Sequence, residues 1–494
     1  MNHAAPFSSP LPLLPLVLDT VPRGLRQALA QEGIPFVDRR LGEAEGRFVL
    51  FDSQAGACQT PAVGQIVIDV ASLRDGFDED PFKALVDQRS AGFQWQVAEF
   101  ELVEEIARVD KRAVRRQLLD QLRQQIEQLG GIWLRIAAFP FPYRTALNFR
   151  LDYDHYDPAD FATTLDSLAG QEQATSHYVC GSAYESAPGA LARLRGLDVG
   201  AHGFWHHTYQ TVEENWQNIR RGIDVLQAAR IEPSGFVAPN GRFNRSLLVA
   251  LESLGIPYSS EFALAYDDLP FFVGTAGVLQ IPIHPVCLEL FVDAVKRVVP
   301  LASPEGLQRK AVAMEAAADY LVHVAQIKCD RGEPVLLYGH PTGEAGGCAH
   351  VVRQVFRWAA GRSDVWRTSL GELNQWWRAR GEVRIRVTSQ DGEFSVQVLN
   401  GSPTYPVGIE LCRGNQVAVL PLDKPVVQFS AEALVYDERT AEPIVAPLKL
   451  DDPHGLRAQV RRLLDWEYVT PVDEIPTNTW RNWAKRSLRR WWKR

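Results

Sequence analysis

The region between about residues 142 and 380 alternates short apolar runs with amphipathic stretches of helical periodicity. Apolar runs at 146–151, 176–180 and 335–338 predict buried strands, and the stretch at 212–230 predicts one of the helices between them. Strands that are separated by helices usually pair in parallel, because each connection crosses the sheet. The pattern therefore predicts an α/β fold with a parallel sheet, either open or closed into a barrel.

Polar side chains follow three of the predicted strands. Asp152 and Asp154 come at the end of the first strand, His202 and His206 follow another, and His340 comes directly after a third. One carboxylate and two imidazoles are a common ligand set for a catalytic divalent metal. The second carboxylate and the third imidazole are then available as base and acid. The sequence therefore favours a metal hydrolase.

A chain of 494 residues is long for one domain, and its periodicity changes twice. Near the start, apolar runs predict strands, and residues 104–129 predict a long amphipathic helix, but no motif in this part indicates a role. After residue 382, apolar and polar residues alternate around Asp391-Gly392, which is typical of an antiparallel hairpin. The predicted segments are an N-terminal α/β domain (1–141), a catalytic domain (142–381), a small antiparallel β domain (382–465) and a basic tail (466–494).

Composition argues against a nucleic-acid-binding protein, because the formal net charge is −8. The charge is unevenly distributed: the last 14 residues contain seven Lys or Arg and no Asp or Glu, which leaves −15 for the other 480. Six scattered cysteines without a CxxC pair suit reduced thiols. The first 15 residues lack the basic and continuous apolar parts of a secretory signal, so a cytoplasmic location is expected.

The motifs of the middle region resemble those of the polysaccharide deacetylase superfamily, carbohydrate esterases that include the chitooligosaccharide deacetylases. The resemblance covers roughly residues 142–380. It rests on an Asp-x-Asp pair after a strand, a His-x-x-x-His pair, a Pro-x-Gly turn, and an apolar strand that leads to a histidine. In this sequence the motif residues are Asp152 and Asp154, His202 and His206, Pro239-Asn240-Gly241, and His340. The resemblance implies a distorted parallel β/α barrel.

The same resemblance implies a role for each motif residue. Asp154, His202 and His206 would hold a divalent metal, most readily zinc, whose bound water is the nucleophile. Asp152 would be the general base, and His340 would protonate the leaving group. The implied function is the removal of acetyl groups from an amino sugar or glycan precursor. Substrate contacts are expected from Pro239, Asn240, Gly241, Arg242, Glu261 and His284.

Two departures from the family pattern are visible. The third motif usually begins with an arginine that orients the base, and Val237 stands there, so Arg242 or Arg150 would have to act instead. The aspartate–tryptophan pair that usually supports the acid histidine is also not evident. Its possible replacements are Glu261 and the pair Asp267-Asp268.

Several alternatives follow from these departures. His284 also ends an apolar run, and it is a second candidate for the acid or a part of the cleft wall. The loss of the arginine favours a non-catalytic glycan-binding or scaffold protein on a degenerate deacetylase fold. A third alternative is a metal-dependent amidase that acts on a non-sugar substrate.

The C-terminal tail carries a separate signal. Tryptophans and basic residues alternate with helical spacing, which suits contact with an anionic membrane surface. A solvated basic end and a helix that docks on an acidic partner are the alternatives. Membrane contact would place the protein near a lipid-linked substrate.

Overall fold

A computed structural model describes most of the chain. The described residues are 16–41, 46–58, 60–62, 64–76, 91–107, 110–274, 277–390, 393–400, 405–439, 448–449, 480, 483–484 and 487.

The N-terminal region begins with a parallel sheet. Its strands are β1 (Leu16–Asp19), β2 (Phe36–Asp38), β3 (Phe48–Phe51) and β4 (Ile66–Asp69), in the order β2-β1-β3-β4. Helix α1 (Arg23–Glu32) connects β1 to β2. The side chains of Leu16, Leu18, Phe48 and Leu50 are fully buried and form the core of this sheet. The N-terminal region thus combines helices with strands, as predicted.

The long helix predicted from residue 104 begins later in the structure. Residues 104–106 belong to a hairpin of β5 (Ala91–Val97) and β6 (Phe100–Ile106), and the helix α2 is Lys111–Gln128. The helix starts there because the Asp110 side chain accepts a hydrogen bond from the Ala113 amide at 3.0 Å and so caps the first turn. The predicted start was wrong because buried apolar residues of β6 also fit a helical spacing.

The middle region is built around a parallel sheet. Its central strand β8 is buried along its whole length and pairs in parallel with β9 on one side and β14 on the other. Strand β10 extends the sheet beyond β9, and β15 also pairs with β8. After β7 (Trp133–Ile136), which precedes this region, its strands are β8 (Thr145–Tyr153), β9 (Thr175–Val179), β10 (Val199–Ala201), β11 (Tyr258–Ser259), β12 (Phe271–Val273), β13 (Val278–Gln280), β14 (Val335–Gly339) and β15 (Val365–Arg367).

Helices connect these strands. They are α3 (Pro158–Ser167), α4 (Gly181–Tyr184), α5 (Pro188–Arg193), α6 (Val212–Ala228), α7 (Arg245–Ser253), α8 (Leu288–Lys296), α9 (Pro304–Arg331), α10 (Ala349–Ala360) and α11 (Leu370–Glu382). Single parallel bridges from Ala201 to Phe236 and from Phe236 to Ser259 link the central sheet to a second sheet of β11, β13 and β12. The predicted α/β fold with a parallel sheet is confirmed. Its closure into a complete barrel stays a prediction.

The C-terminal region is antiparallel. One sheet has the order β16-β17-β20, and another has the order β21-β19-β18-β7. Its strands are β16 (Arg384–Gln390), β17 (Glu393–Asn400), β18 (Gly408–Arg413), β19 (Gln416–Pro421), β20 (Val426–Ser430) and β21 (Asp437–Glu438), and a further strand, β22 (Leu448–Lys449), pairs with β5. Strand β7 pairs with β18 although it precedes the boundary predicted at residue 142. The domain boundaries stay predictions.

Buried ion pairs join the three regions. The Arg115 guanidinium on α2 lies 2.7 Å from an Asp268 carboxylate oxygen, and both side chains are buried. The Arg135 side chain on β7 lies 2.6 Å from the Glu410 carboxylate on β18. Burial alone would raise the pKa of Glu410, but Arg135 and Arg439 lower it to about 2. The first pair therefore holds the N-terminal region against the middle region, and the second holds β7 against β18 of the C-terminal region. No helix among the described residues is long and apolar enough to cross a membrane.

Candidate active site

The register of the parallel strands brings the predicted metal ligands together. Asp154 directly follows β8, and His202 directly follows β10 at the same edge of the sheet. The Nε2 atoms of His202 and His206 each lie 3.1 Å from an Asp154 carboxylate oxygen. One ligand atom from each of the three residues lies within 4.8 Å of the other two. The structure therefore forms a compact group of two imidazoles and one carboxylate that could hold a metal ion.

One face of β8 carries the polar chemistry. Side chains of a strand alternate between its two faces, so Arg150, Asp152 and Asp154 share a face, and Leu151 and Tyr153 lie on the other. The apolar face packs in the core, where Leu151 and Tyr153 are fully buried. The period of the strand thus aligns an arginine and two carboxylates toward the site.

A hydrogen bond fixes the ring of His202. Its Nδ1 atom lies 2.8 Å from the carbonyl oxygen of Val237. Because a carbonyl can only accept, Nδ1 is the donor of this hydrogen bond, and Nε2 is the ring nitrogen that faces Asp154. This is the arrangement that a histidine needs in order to ligate a metal through Nε2. The residues present therefore fit a divalent metal, and position 237 contributes through its backbone.

Asn218 on α6 holds the loop between the two histidines. Its Oδ1 atom accepts hydrogen bonds from the amides of Phe204 (3.0 Å) and Trp205 (2.7 Å). Its Nδ2 atom donates to the carbonyl oxygens of Trp205 and His207. Gly203 has a φ of +73°, and a Cβ there would lie 2.7 Å from the Asn218 side-chain nitrogen. Sequence analysis did not identify Asn218, because a polar residue within a helix gives no signal of what its side chain contacts.

Arg150 orients the candidate base. Its guanidinium donates to Asp152 Oδ2 at 2.6 Å and to the carbonyl oxygen of Ser260 at 2.6 Å. It also lies over the ring of Tyr338, with 4.9 Å between the guanidinium carbon and the ring centroid. Of the two arginines considered from sequence, Arg150 therefore contacts the base, whereas the Arg242 side chain is exposed.

The second oxygen of the candidate base lacks a hydrogen-bond partner among the described residues. Asp152 is buried, with 3% of its surface exposed, and its Oδ1 atom has no hydrogen-bond partner among the described residues. A buried carboxylate oxygen without a partner is costly unless something else approaches it. This oxygen can accept a proton from a water molecule that lies beside the group of metal-ligand candidates.

Glu344 supports His340. Its carboxylate lies 3.1 Å from the Nδ1 atom of His340 and also accepts the His340 backbone N–H at 3.1 Å. The Nε2 atom of His340 lies 3.6 Å from an Asp154 oxygen. Burial alone would lower the pKa of His340, but the carboxylates of Glu344 and Asp154 hold it well above its ordinary value. Both carboxylates thus favour the protonated form of His340, whose Nε2 atom faces the site.

The sequence did not identify Glu344 as this support. Glu261 instead accepts hydrogen bonds from the Ala238 amide at 2.9 Å and from Gln280 at 2.6 Å, so it holds the turn at Pro239–Gly241. Burial raises the pKa of Glu261 to about 7. Asp268 pairs with Arg115. The structure thus gives neither Glu261 nor Asp268 the supporting role that was considered for them.

His284 lies in a separate buried group. Its Nδ1 atom is 3.2 Å from an Asp267 oxygen, and its Nε2 atom is 3.0 Å from the Tyr320 hydroxyl. Lys328 forms a further ion pair with Asp267. Because both ring nitrogens have partners in this group, the structure does not support His284 as the acid, nor Asp267 as the support of His340.

The Pro-x-Gly turn lies beside the ligand group. It follows Val237, whose carbonyl holds His202. Asn240 is exposed at the tip with a φ of +55°. Gly241 has a φ of +59°, and a Cβ there would lie 2.4 Å from the Phe262 ring. The turn therefore needs a glycine at this point, and substrate contacts through Pro239, Asn240 and Gly241 stay a prediction.

The N-terminal hairpin packs near His340. Glu289 on α8 has a carboxylate oxygen 3.6 Å from His340 Nδ1, and β6 packs on the same helix, where the rings of Phe100 and Phe291 lie 6.3 Å apart. The pKa of Glu104 on β6 is raised to about 7, chiefly by burial, with a smaller rise from the charge of Glu289 and an opposing effect of His340. The N-terminal region thus adds a carboxylate near His340. The sequence did not suggest this contact, because Glu104 was predicted to lie on a helix.

A second group of possible ligands adjoins the first. Cys287, Glu289 and His340 also have ligand atoms within 4.8 Å of one another. Burial holds the pKa of the Cys287 thiol well above its ordinary value, and a thiol must lose its proton to bind a metal. The group of Asp154, His202 and His206 is therefore the better candidate for a metal site.

Residues 149–259 match the family model described as polysaccharide deacetylase. The middle region carries the pattern of that family. The resemblance predicted from the motifs is thereby confirmed, and the matched segment of this deacetylase-like region includes both aspartates and both histidines of the candidate metal site. No curated protein shows significant sequence similarity to the chain.

Among the solved structures that match, three illustrate a similarity over about half of the chain. A putative polysaccharide deacetylase from Mycobacterium smegmatis is 20% identical, with a TM-score of 0.41, over 51% of this chain and 98% of the other. A probable polysaccharide deacetylase from Pseudomonas aeruginosa is 16% identical, with a TM-score of 0.38, over 48% and 91%. A CE4 family pseudoenzyme from Bacillus anthracis is 10% identical, with a TM-score of 0.29, over 47% and 66%.

Proposed function

We propose that the protein is a metal-dependent hydrolase that removes acetyl groups from an amino sugar or glycan precursor. The observation that carries the proposal is the placement of three groups at one sheet edge. These are the group of Asp154, His202 and His206, the Asp152 oxygen that lacks a hydrogen-bond partner among the described residues, and the imidazole of His340. They lie in the deacetylase-like region, and hydrolysis of an acetamide needs a base and an acid beside an electrophilic centre.

Asp154, His202 and His206 would hold the metal. Two neutral imidazoles and one carboxylate suit zinc best among common divalent ions. When bound, the ion supplies Lewis-acid polarisation of the acetyl carbonyl and lowers the pKa of water. The Val237 carbonyl keeps His202 in the required tautomer, and Asn218 keeps the loop of His206 in place.

Asp152 would take the proton of the attacking water. Its Oδ2 atom is fixed by Arg150, so Oδ1 is the oxygen that accepts. The water oxygen bonds to the acetyl carbon, and the carbon–nitrogen bond then breaks. The departing nitrogen receives a proton from His340 Nε2, while Glu344 stabilises the imidazolium through Nδ1. The products are acetate and a free amine.

The non-catalytic alternative loses its main argument. It depended on Val237 at the position where the family usually has an arginine. Arg150 contacts Asp152 at 2.6 Å from the strand itself, so the base does not lack a cation that orients it. The amidase alternative is not weakened, because the candidate metal ligands, base and acid would act on an acyl group and would not distinguish a sugar from another amine.

Release of acetate tests the proposal directly. Purified protein with added zinc should release acetate from N-acetylated chitooligosaccharides or from O-acetylated sugars, and removal of the metal by a chelator should stop it. Small N-acetyl amides without a sugar serve as the comparison. Release from the amides alone would favour the amidase, and no release from any substrate by metal-loaded protein would support the non-catalytic reading.

Glu344→Gln should slow amide hydrolysis by about 10- to 100-fold, a part of the ~10²–10⁴-fold that a general acid contributes. The amide still fits beside His340 but lacks the charge that stabilises the imidazolium. Since Glu344 raises the pKa of His340, its loss should also shift the alkaline limb of the rate profile to lower pH. Initial rates across pH measure both effects.

An activated acetyl ester provides the internal comparison for this variant. Its leaving group departs without a proton, so Glu344→Gln should hydrolyse the ester nearly as fast as the unchanged protein. The exposed pair of His350 and Glu315, 3.3 Å apart, gives a matched control in Glu315→Gln. Equal losses on ester and amide would contradict an acid role for His340.

A further inference from the structure

The C-terminal tail places large aromatic side chains in solvent. Trp480 and Trp483 are helical, with 55% and 67% of their surfaces exposed. The Ser487 hydroxyl donates to the Trp483 carbonyl oxygen at 2.9 Å, four residues earlier, as in a helical turn. Exposed tryptophans that lie close together usually mark a contact surface.

The sequence around these tryptophans is amphipathic at the helical period. A helix through this sequence would carry Trp480, Trp483, Leu488 and Trp491 on one side and Lys485, Arg486, Arg489 and Lys493 on the other, with Arg490 beside Trp483. Residues 481–494 contain seven Lys or Arg and no Asp or Glu. A helix with such an aromatic side and basic side would suit a membrane surface, where an apolar phase meets negative charge.

We infer that this tail binds the surface of an anionic lipid bilayer. The rest of the chain carries a formal charge of −15, so an anionic surface repels it and the attraction has to come from the tail. Basic side chains near such a surface interact with its negative potential, and tryptophan prefers the interface between headgroups and acyl chains. The segment is too short and too charged to span a bilayer, so the contact is peripheral.

An acidic protein partner fits the tail less well. Such a partner would neutralise the basic side, but it would leave the tryptophans on the opposite side in water. A bilayer accommodates both sides at once, because the charges meet the headgroups and the rings enter the interface. The aromatic side chains, exposed at Trp480 and Trp483, therefore decide in favour of the membrane.

Co-sedimentation of the full chain with vesicles tests this inference independently of any hydrolysis. Vesicles of phosphatidylserine and phosphatidylcholine should bind the protein, and vesicles of phosphatidylcholine alone should bind it weakly. Removal of residues 480–494 should weaken binding to the anionic vesicles by about 100-fold or more, because every cationic contact with the surface is lost. Raising the salt concentration should weaken the binding of the full chain only in part, because the tryptophans remain.

The double change Trp480→Ser and Trp483→Ser separates the membrane from an acidic partner. It should weaken vesicle binding by about tenfold or more, since both rings lose their place in the interface. Trp216 is also partly exposed, at 38%, and Trp216→Ser is the matched control. Equal partitioning of the full and shortened chains would overturn the inference. Binding to soluble polyglutamate that is stronger than binding to vesicles, and that the tryptophan changes do not weaken, would also overturn the inference.

Discussion

Replacing His202 with alanine should remove most of the bound divalent metal from the purified protein. The Nε2 atom of His202 lies 3.1 Å from Asp154, and the Val237 carbonyl fixes the ring. A ligand held this rigidly contributes strongly to affinity, and even loss of an outer partner typically costs about 10–100-fold. After dialysis against a weak chelator, elemental analysis should therefore find far less zinc in His202→Ala than in the unchanged protein.

The control for this experiment is an exposed histidine. His323 lies on the surface of α9, and His323→Ala should keep the metal content of the unchanged protein. Asp154→Asn and His206→Ala should lose metal as His202→Ala does, because each removes one ligand atom of the same group. Circular dichroism of each variant shows whether its fold is intact. Equal metal content in folded His202→Ala and His323→Ala would rule out this group as the metal site.

The convergence of the metal-ligand candidates could be predicted from the sequence because it follows from strand periodicity. Asp154 directly follows β8, and His202 directly follows β10. Parallel strands place such positions at one edge whatever the details of the loops. His340 follows β14, which pairs directly with β8, and it meets the others for the same reason. A periodic pattern can be recognised in a short stretch of sequence. The positions of Asp154, His202 and His340 at the strand ends could therefore be predicted.

The supporting residues depend on contacts that a single sequence does not encode locally. Glu344 meets His340 only because residues 341–345 fold back in a tight turn. Asn218 reaches the histidine loop from the middle of α6. Arg150 was one of two candidate arginines, and only the packing of its guanidinium against Ser260 and Tyr338 decided between them. Each choice was settled by tertiary packing.

The contribution of the N-terminal region was the least predictable from sequence. Glu104 was expected on a helix, and its place on β6 follows from pairing with β5 and packing on α8. Strand β7 likewise joins β18, which lies more than 270 residues later in the chain. Pairing over such distances leaves no local pattern, because either partner alone is only a short apolar run.

Asp152→Asn should retain the metal and lose most of the hydrolysis. The amide oxygen can still accept the Arg150 hydrogen bond, but the side chain can no longer take the proton of water, which typically costs ~10²–10⁴-fold in rate. Acetate release and zinc content are measured on the same preparation, with Asp166→Asn, whose side chain is 78% exposed, as the control. The change leaves the buried Arg150 charge without its counterion, so thermal unfolding is recorded as well. Near-normal turnover in the folded, zinc-loaded variant would assign the base elsewhere and would contradict the proposed mechanism.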